Sequence, residues 1–422
     1  MKNKSAFFDY KWVIVFISAL MVFTVLGFCS SANGIYIAPI TSALDISRGS
    51  YAVTTSVRYV TTSVINIFFG TLIYRFGAKK LIMSGFILLI ISSIIYSVAT
   101  TVPIFCVGSF FLGAGLSFTT TTMVGSVINK WCAQNKGTIM GVVLATNGLG
   151  ATLARIILTP IINAGNPFDY RNAYRLVAVI LAGVALVMLI FFRNTPKGEE
   201  EHRYEVKKGK HHASHDVHLF RMPYFYVALV CIFVTGLVLQ SVSGIADPHF
   251  RDNNVAIATI TTVMSVHSIV LSLSKFTTGF IYDKAGIRAA SLICYLAAVF
   301  AMVSLVVVGN DNLGIFFGFV YAVLSSVALP LETIMLPIFA RELFGDEIFN
   351  KSLGIFAAVN TAGYAVGGPI ANLVFDITGS YDLWIFISIA LIAAVCVTMN
   401  FVITAAKRTL AHLHDDEAVT AN

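Results

Sequence analysis

VAIATITTVMSVHSIVLSLSKFTTGFIYDKAGIRAA, residues 255–290, decides what kind of protein this is. The stretch opens as an apolar, β-branched run long enough to cross a bilayer. It closes on a Gly-rich, charged turn: Gly279, Asp283, Lys284, Gly286 and Arg288. Inside the run sits Lys275, roughly 12 Å of helix before Asp283. His267, Leu271 and Lys275 are spaced i, i+4, i+8, which puts imidazole and ammonium on one helical face. An ammonium inside an apolar span costs at least ~2.5 kcal/mol unless it snorkels, pairs or faces water. Lys275 is therefore either a lysine whose stem reaches the headgroups or an anion-binding group in a transport pathway.

Composition places the whole chain in the membrane. It is 57% hydrophobic and 12% charged over 422 residues, with a mean hydropathy of +0.83. No soluble chain of this length hides so much apolar surface. The six cysteines (29, 106, 132, 231, 294 and 396) fall mostly in apolar runs without metal-ligand spacing, and read as small apolar residues. A net charge of +7 would suggest nucleic acid in a soluble protein. Here it is the Lys/Arg excess of cytoplasmic loops, and no nucleic-acid partner is expected.

Twelve spans are expected, giving an all-α membrane protein in two six-helix bundles: 12–38, 51–73, 81–101, 104–128, 138–162, 173–192, 222–245, 255–282, 288–308, 313–340, 352–376 and 383–404. The basic N-terminus lacks a small-residue cleavage site, so the first run reads as a helix, with Trp12 suited to the interface belt. Polar residues 193–221, KGEEEHRYEVKKGKHHASHD among them, read as a solvated linker between bundles 1–192 and 222–405, with a tail at 406–422. Its histidines at 211, 212, 215 and 218 are explained as well by a flexible polar loop as by metal binding. With both termini inside, Arg48, Arg171, Arg175 and Arg251 lie outside and Arg58, Arg155 and Lys275 within spans. The remaining 21 of 28 Lys/Arg are then cytoplasmic, as the positive-inside rule requires.

The halves repeat. Gly70–Lys80, GTLIYRFGAKK, matches GFIYDKAGIR from Gly279 at an offset of 209 residues. Met140–Gly150, MGVVLATNGLG, matches Leu353–Gly363, LGIFAAVNTAG, at an offset of 213 and sets Asn147 against Asn360. Two repeats at nearly one offset are the organisation of a two-bundle transporter.

These residues resemble the major facilitator superfamily. The loops at 70–80 and 279–288 are similar to its G-x-x-x-D-R/K-x-G-R/K-K/R motif, although Tyr74 stands where the first copy usually has an acid. Within it, Trp131-Cys-Ala-Gln-Asn-Lys136-Gly137 running on to Asn147-Gly148-Leu-Gly150, with Gly113-Ala114-Gly115, resembles the branch of monocarboxylate transporters and oxalate/formate exchangers. So do Arg341-Glu342-Leu-Phe-Gly345 and Asp376-Ile-Thr-Gly379-Ser380-Tyr381. The resemblance implies that Lys275 occupies the place of a carboxylate-clasping arginine, keeping its charge without the bidentate fork. The branch's other cations fall on Asn33 and Asn360, which carry no charge.

Three further ionisable residues lie within spans. Arg58 and Arg155 either snorkel or line a cavity; Glu332, in ALPLETIMLP, either pairs with a cation or carries a proton. If all of them shared one cavity with Lys275, its charge would favour anions. Asn33, Asn147 and Asn360, with Tyr36, Tyr59 and Tyr364, would supply hydrogen bonds, and His267 a second titratable group. The expected function is secondary transport of small organic anions, mono- or dicarboxylates, by proton symport or anion exchange, with no cofactor. The expected unit is a monomer in the cell membrane. The alternatives are a proton-coupled exporter of lipophilic or cationic compounds and a non-transporting membrane sensor. An enzyme is not expected: no phosphate-binding Gly loop, metal triad or nucleophile–base pairing is present.

Overall fold

The computed structural model describes residues 10–194 and 222–420, apart from 33, 47, 133, 163 and 347. The linker histidines and Asn33 therefore lie outside the described residues. The described chain is helical, in twelve runs: α1 (10–44), α2 (48–76), α3 (Ala78–Val98), α4 (102–131), α5 (Lys136–Ile162), α6 (Tyr170–Phe191), α7 (Pro223–Asp252), α8 (257–285), α9 (287–306), α10 (312–344), α11 (Phe349–Thr378) and α12 (Asp382–Thr420). Among the described residues, ten continuous stretches are long and apolar enough to cross a membrane. One of these, Ala258–Val306, is more than twice the length a span needs and counts as both α8 and α9. α2 makes the twelfth, as Val53–Ile67 and Phe69–Phe76 bent by 61°.

α8 and α9 part at Gly286, whose φ of 79° and ψ of 176° only glycine adopts without strain. Gly77, between α2 and α3, has φ 76° and ψ 158°. These are the two glycines that the 209-residue offset superposes, so the sequence repeat is also a repeat of backbone conformation.

The chain divides into two compact units, Met1–Thr61 with Thr71–Lys207, and Thr62–Gly70 with Lys208–Asn422. In the first, α1 and α5 cross where their backbones touch. A Cβ on Gly27 would lie 2.5 Å from the Gly150 carbonyl carbon, and one on Gly150 would collide with the Phe23 carbonyl oxygen. Thr146 Oγ1 reaches the Ala19 carbonyl at 3.0 Å in the same seam. In the second, α7 and α11 cross in the same way: a Cβ on Gly363 would lie 2.5 Å from the Phe233 carbonyl oxygen, and Gly367 abuts the Leu237 carbonyl. Small residues admit this close approach, and van der Waals contact rather than the hydrophobic effect holds helices together in lipid. Gly27 and Gly236 are 209 residues apart, Gly150 and Gly363 213, so both crossings belong to the repeat.

Besides the bend in α2, three described runs depart from continuous α-helix. α1 contains a π-helical turn, Val25–Ser31, between Tyr10–Thr24 and Gly34–Leu44. α4 breaks at Thr120. α10 is Asn312–Ala328, a 3-10 turn Leu329–Glu332, then Met335–Phe344. The last break has a chemical cause. Pro330 has no N–H to give Ser326, and its own carbonyl takes both Thr333 N (3.2 Å) and Ile334 N (2.8 Å). Broken helices at membrane depth are tolerated where they are buried in protein or line a cavity.

Candidate functional site

Lys275 lies in the middle of α8, between buried Ser274 and Thr278, and is only 6% exposed. It makes no hydrogen bond or ion pair with a described residue, so three N–H donors and a full charge sit inside the second unit without a protein partner. A snorkelling side chain runs out to the surface; this one is buried along almost all of its length.

Two turns away on α8, His267 is tied to α10. Its Nδ1 is 3.0 Å from Ser325 Oγ, 2.9 Å from Ser326 Oγ and 3.2 Å from the Ala322 carbonyl oxygen. The carbonyl only accepts. Ser326 also has carbonyls to which its hydroxyl donates, His267 O at 2.8 Å and Ala322 O at 2.7 Å. Nδ1 thus carries the proton in the neutral ring, and Nε2 is left as an acceptor. Behind Ser325 an apolar cavity opens among α7, α9 and α10, bounded by Leu239, Val242, Met302 and Tyr321.

Glu332 stands on the 3-10 turn of α10, 7% exposed. Tyr364 of α11 hydrogen-bonds its carboxyl group, while Oε1 is buried without a partner, as is Thr333 Oγ1 beside it. Among the described residues Glu332 pairs with no cation, so of the two readings its sequence allowed, the ion pair is not what the fold builds. A buried carboxylate without a cation is expensive, and taking up a proton removes that cost.

The remaining candidates divide sharply. Asn360 is a packing residue: 3% exposed, its Nδ2 donates to Ile232 O at 3.3 Å across the α7–α11 crossing. Tyr36, 1% exposed, stacks on Tyr174 with ring centroids 4.1 Å apart. That pair continues through Tyr96, 5.0 Å from Tyr174, to Phe105 and Tyr51. Arg58, buried at 7% exposure, lays its guanidinium over the Tyr59 ring, 4.5 Å from the centroid, a cation–π contact. Arg155 is exposed on α5. Asn147, half-buried on α5, accepts a hydrogen bond at 3.0 Å from Ser31 Oγ, at the end of the π turn.

The structure thus joins Glu332 to Tyr364 and Arg58 to Tyr59, and gives Asn360 and Tyr36 packing roles. Ser31, Thr333 and the Tyr51–Tyr96–Tyr174 cluster were not singled out in the sequence. The tyrosines come from different helices with no common spacing, and nothing in VLGFCSS announces a π turn. The cluster suggests its own test: if Arg58 serves solute binding, Arg58→Gln lowers uptake by about tenfold or more at unchanged yield. Uptake assays on matched amounts of purified protein check this, and normal uptake would make the arginine a structural partner of Tyr59.

Twelve apolar helical runs in repeated halves, glycine-tight crossings and ionisable groups buried in mid-span define a polytopic transport protein. The family model of the Major Facilitator Superfamily matches residues 12–246 and 229–416, and the chain belongs to that superfamily. Among curated relatives it is 23% identical to Multidrug resistance protein 2 of Bacillus subtilis (strain 168) over 350 residues, covering 79% of this chain and 81% of that one. It is 19% identical to the sialic acid transporter NanX of Escherichia coli (strain K12) over 349 residues, 80% of each. The crystal structure of the E. coli fucose:proton symporter FucP superposes with a TM-score of 0.73 at 15% identity, covering 93% of this chain and 99% of that one.

Proposed function

We propose that this protein is a secondary active transporter of small organic anions, mono- or dicarboxylates, working by alternating access in the cell membrane with both termini cytoplasmic. The observation that carries the reading is Lys275, a cation buried in mid-span without a counter-ion among the described residues. A charge so placed persists where a mobile anion completes it. The carboxylate of sialic acid, which NanX is named for, has the chemistry such a site takes. The resemblance to the monocarboxylate and oxalate/formate branch points the same way. Glu332, unpaired and hydrogen-bonded by Tyr364, supports proton symport over simple exchange.

The second reading is export of lipophilic or cationic compounds, favoured by the likeness to Multidrug resistance protein 2. Among the described residues, a buried cation without a counter-ion and a single buried acid argue against cationic solutes. Counterflow in proteoliposomes separates the two. Acetate, lactate, oxalate, succinate, gluconate and sialic acid are offered with and without a proton gradient, beside a lipophilic cationic dye. Trans-stimulated uptake of at least one carboxylate is the expected result; movement of the dye alone overturns the anion reading.

A further inference from the structure

The end of the second unit away from the linker is closed by a buried histidine. His249 lies in the last turn of α7 and is 2% exposed. We propose that His249 is a proton-operated catch: neutral, it holds α7, α9 and the turn between α11 and α12 together, and taking up a proton releases them. The catch does not depend on the anion reading. In the orientation proposed above it faces the outside medium.

The contacts of the ring reach three elements. Nε2 lies 3.1 Å from the carbonyl oxygen of Leu305, in the last turn of α9. A carbonyl only accepts, so Nε2 carries the proton of the neutral ring. The bond helps to cap α9, whose final carbonyls lack partners within the helix, alongside Val308 N on the same oxygen at 3.3 Å. Asn253 sits beside it: its Nδ2, 3.3 Å from Nε2, donates to the His249 carbonyl at 2.9 Å. The imidazole meets Tyr381 edge-on, with centroids 6.4 Å apart. Tyr381 is fixed in turn, stacked on Phe375 at 4.5 Å and donating to Asn372 Oδ1 at 3.1 Å.

The charges around the ring set the sign of the response. α7 brings Asp252 and α12 brings Asp382, both exposed and both close enough to act on the imidazole. α11 brings Asp376, which acts on Tyr381 as Asp252 does. Asp247, on α7, is held by Arg251 at 2.8 Å. Among the described residues no carboxylate hydrogen-bonds the ring, and Nδ1 has no acceptor. A proton added at Nδ1 places a second N–H and a full charge in a buried corner that offers partners for neither. A buried charge without a hydrogen-bonded partner is costly, and exposed carboxylates, screened by water and salt, offset little of it. The charged ring is therefore driven towards solvent, and Leu305 and Tyr381 lose the side chain that joins them.

The test is the fluorescence of Trp384, one turn beyond Tyr381 on α12. It is 4% exposed, and its Nε1 donates to Ser241 Oγ of α7 at 3.0 Å. With Trp12 and Trp131 replaced by Phe it is the last of the chain's three tryptophans, and its quenching by acrylamide reads how far α7 and α12 stand apart. In purified protein titrated from about pH 8 to about pH 5, quenching should rise about twofold or more in a one-proton step. His249→Gln keeps a side-chain N–H for the Leu305 carbonyl and cannot be charged, so it should stay at the low level throughout. Asp382→Asn removes a charge that steadies the imidazolium while it is still in place. Release should then come at higher pH, by up to about one unit. Should His249→Gln give no folded protein, His249→Phe, which keeps a ring against Tyr381, is read instead and should show no step. A wild type without the step, or a step that survives in the Gln or Phe variant, overturns the catch. So does an Asp382→Asn midpoint displaced to lower pH, which would mean that acid tightens this corner.

Discussion

Lys275→Ala is expected to weaken binding of the best carboxylate by at least about tenfold, since ~1.4 kcal/mol corresponds to a decade in affinity. The reason is the burial of the side chain. A carboxylate leaving water loses hydration that only a charge-assisted donor replaces, and a hydrogen bond to a charged group is worth ~1.5–3 kcal/mol. Lys275 brings three donors that no described residue uses. Lys275→Arg should keep part of the affinity: the charge remains, but a planar fork must fit a space shaped by a flexible ammonium stem. Lys275→Met separates charge from volume, because it fills the space and removes only the ammonium. It should bind as poorly as the alanine variant while folding normally. Matched neutral amides should bind weakly to wild type and be indifferent to all three changes. Isothermal titration or substrate-protected thermal shift on the purified proteins measures this. An alanine or methionine variant that binds like wild type would return Lys275 to the class of buried lysines held by packing alone.

The fold was legible because lipid leaves few choices. Apolar runs near twenty residues, backbone groups satisfied only within helices, and a Lys/Arg bias between loops are all one-dimensional signals. The repeat was legible for the same reason: Gly77 and Gly286 need one unusual backbone conformation, and only glycine supplies it cheaply. What the sequence concealed are contacts that depend on rotation about a helix axis. His267 and Lys275 share a face by spacing, yet His267 is spoken for at Nδ1 by α10 and Lys275 is not. Asn147 and Asn360 align in sequence but differ in what holds them, a side chain in one case and a backbone carbonyl in the other. The break in α10 was half-legible. Pro330 stands in plain sight, but that Glu332 would fall on the resulting 3-10 turn, with one oxygen taken by Tyr364 and the other unmet, depends on how α10 meets α11.

That placement makes Glu332→Gln the most informative change after Lys275. Glutamine has nearly the volume of glutamate, and its carbonyl oxygen can still accept the bond from Tyr364, so the packing between α10 and α11 is kept. What it removes is a group that takes up and releases a proton. If Glu332 couples transport to a proton gradient, the variant should lose all gradient-driven accumulation, falling to the level of equilibration. Substrate-for-substrate exchange should survive within about a factor of two to three, since exchange needs no change of protonation. Tyr364→Phe should act more weakly and in the same direction, because it leaves the carboxyl in place but removes the hydrogen bond from Tyr364. Both are measured in the same proteoliposomes, with an imposed proton gradient for accumulation and preloaded solute for exchange. Accumulation that persists in Glu332→Gln would move the proton to His267, whose Nδ1 faces α10 and whose Nε2 is left to take it up. A wild type that never responds to the gradient, but exchanges freely, would leave Glu332 as a neutral acid bound to Tyr364 and the carrier as an anion exchanger, with Lys275 handing one carboxylate over for another.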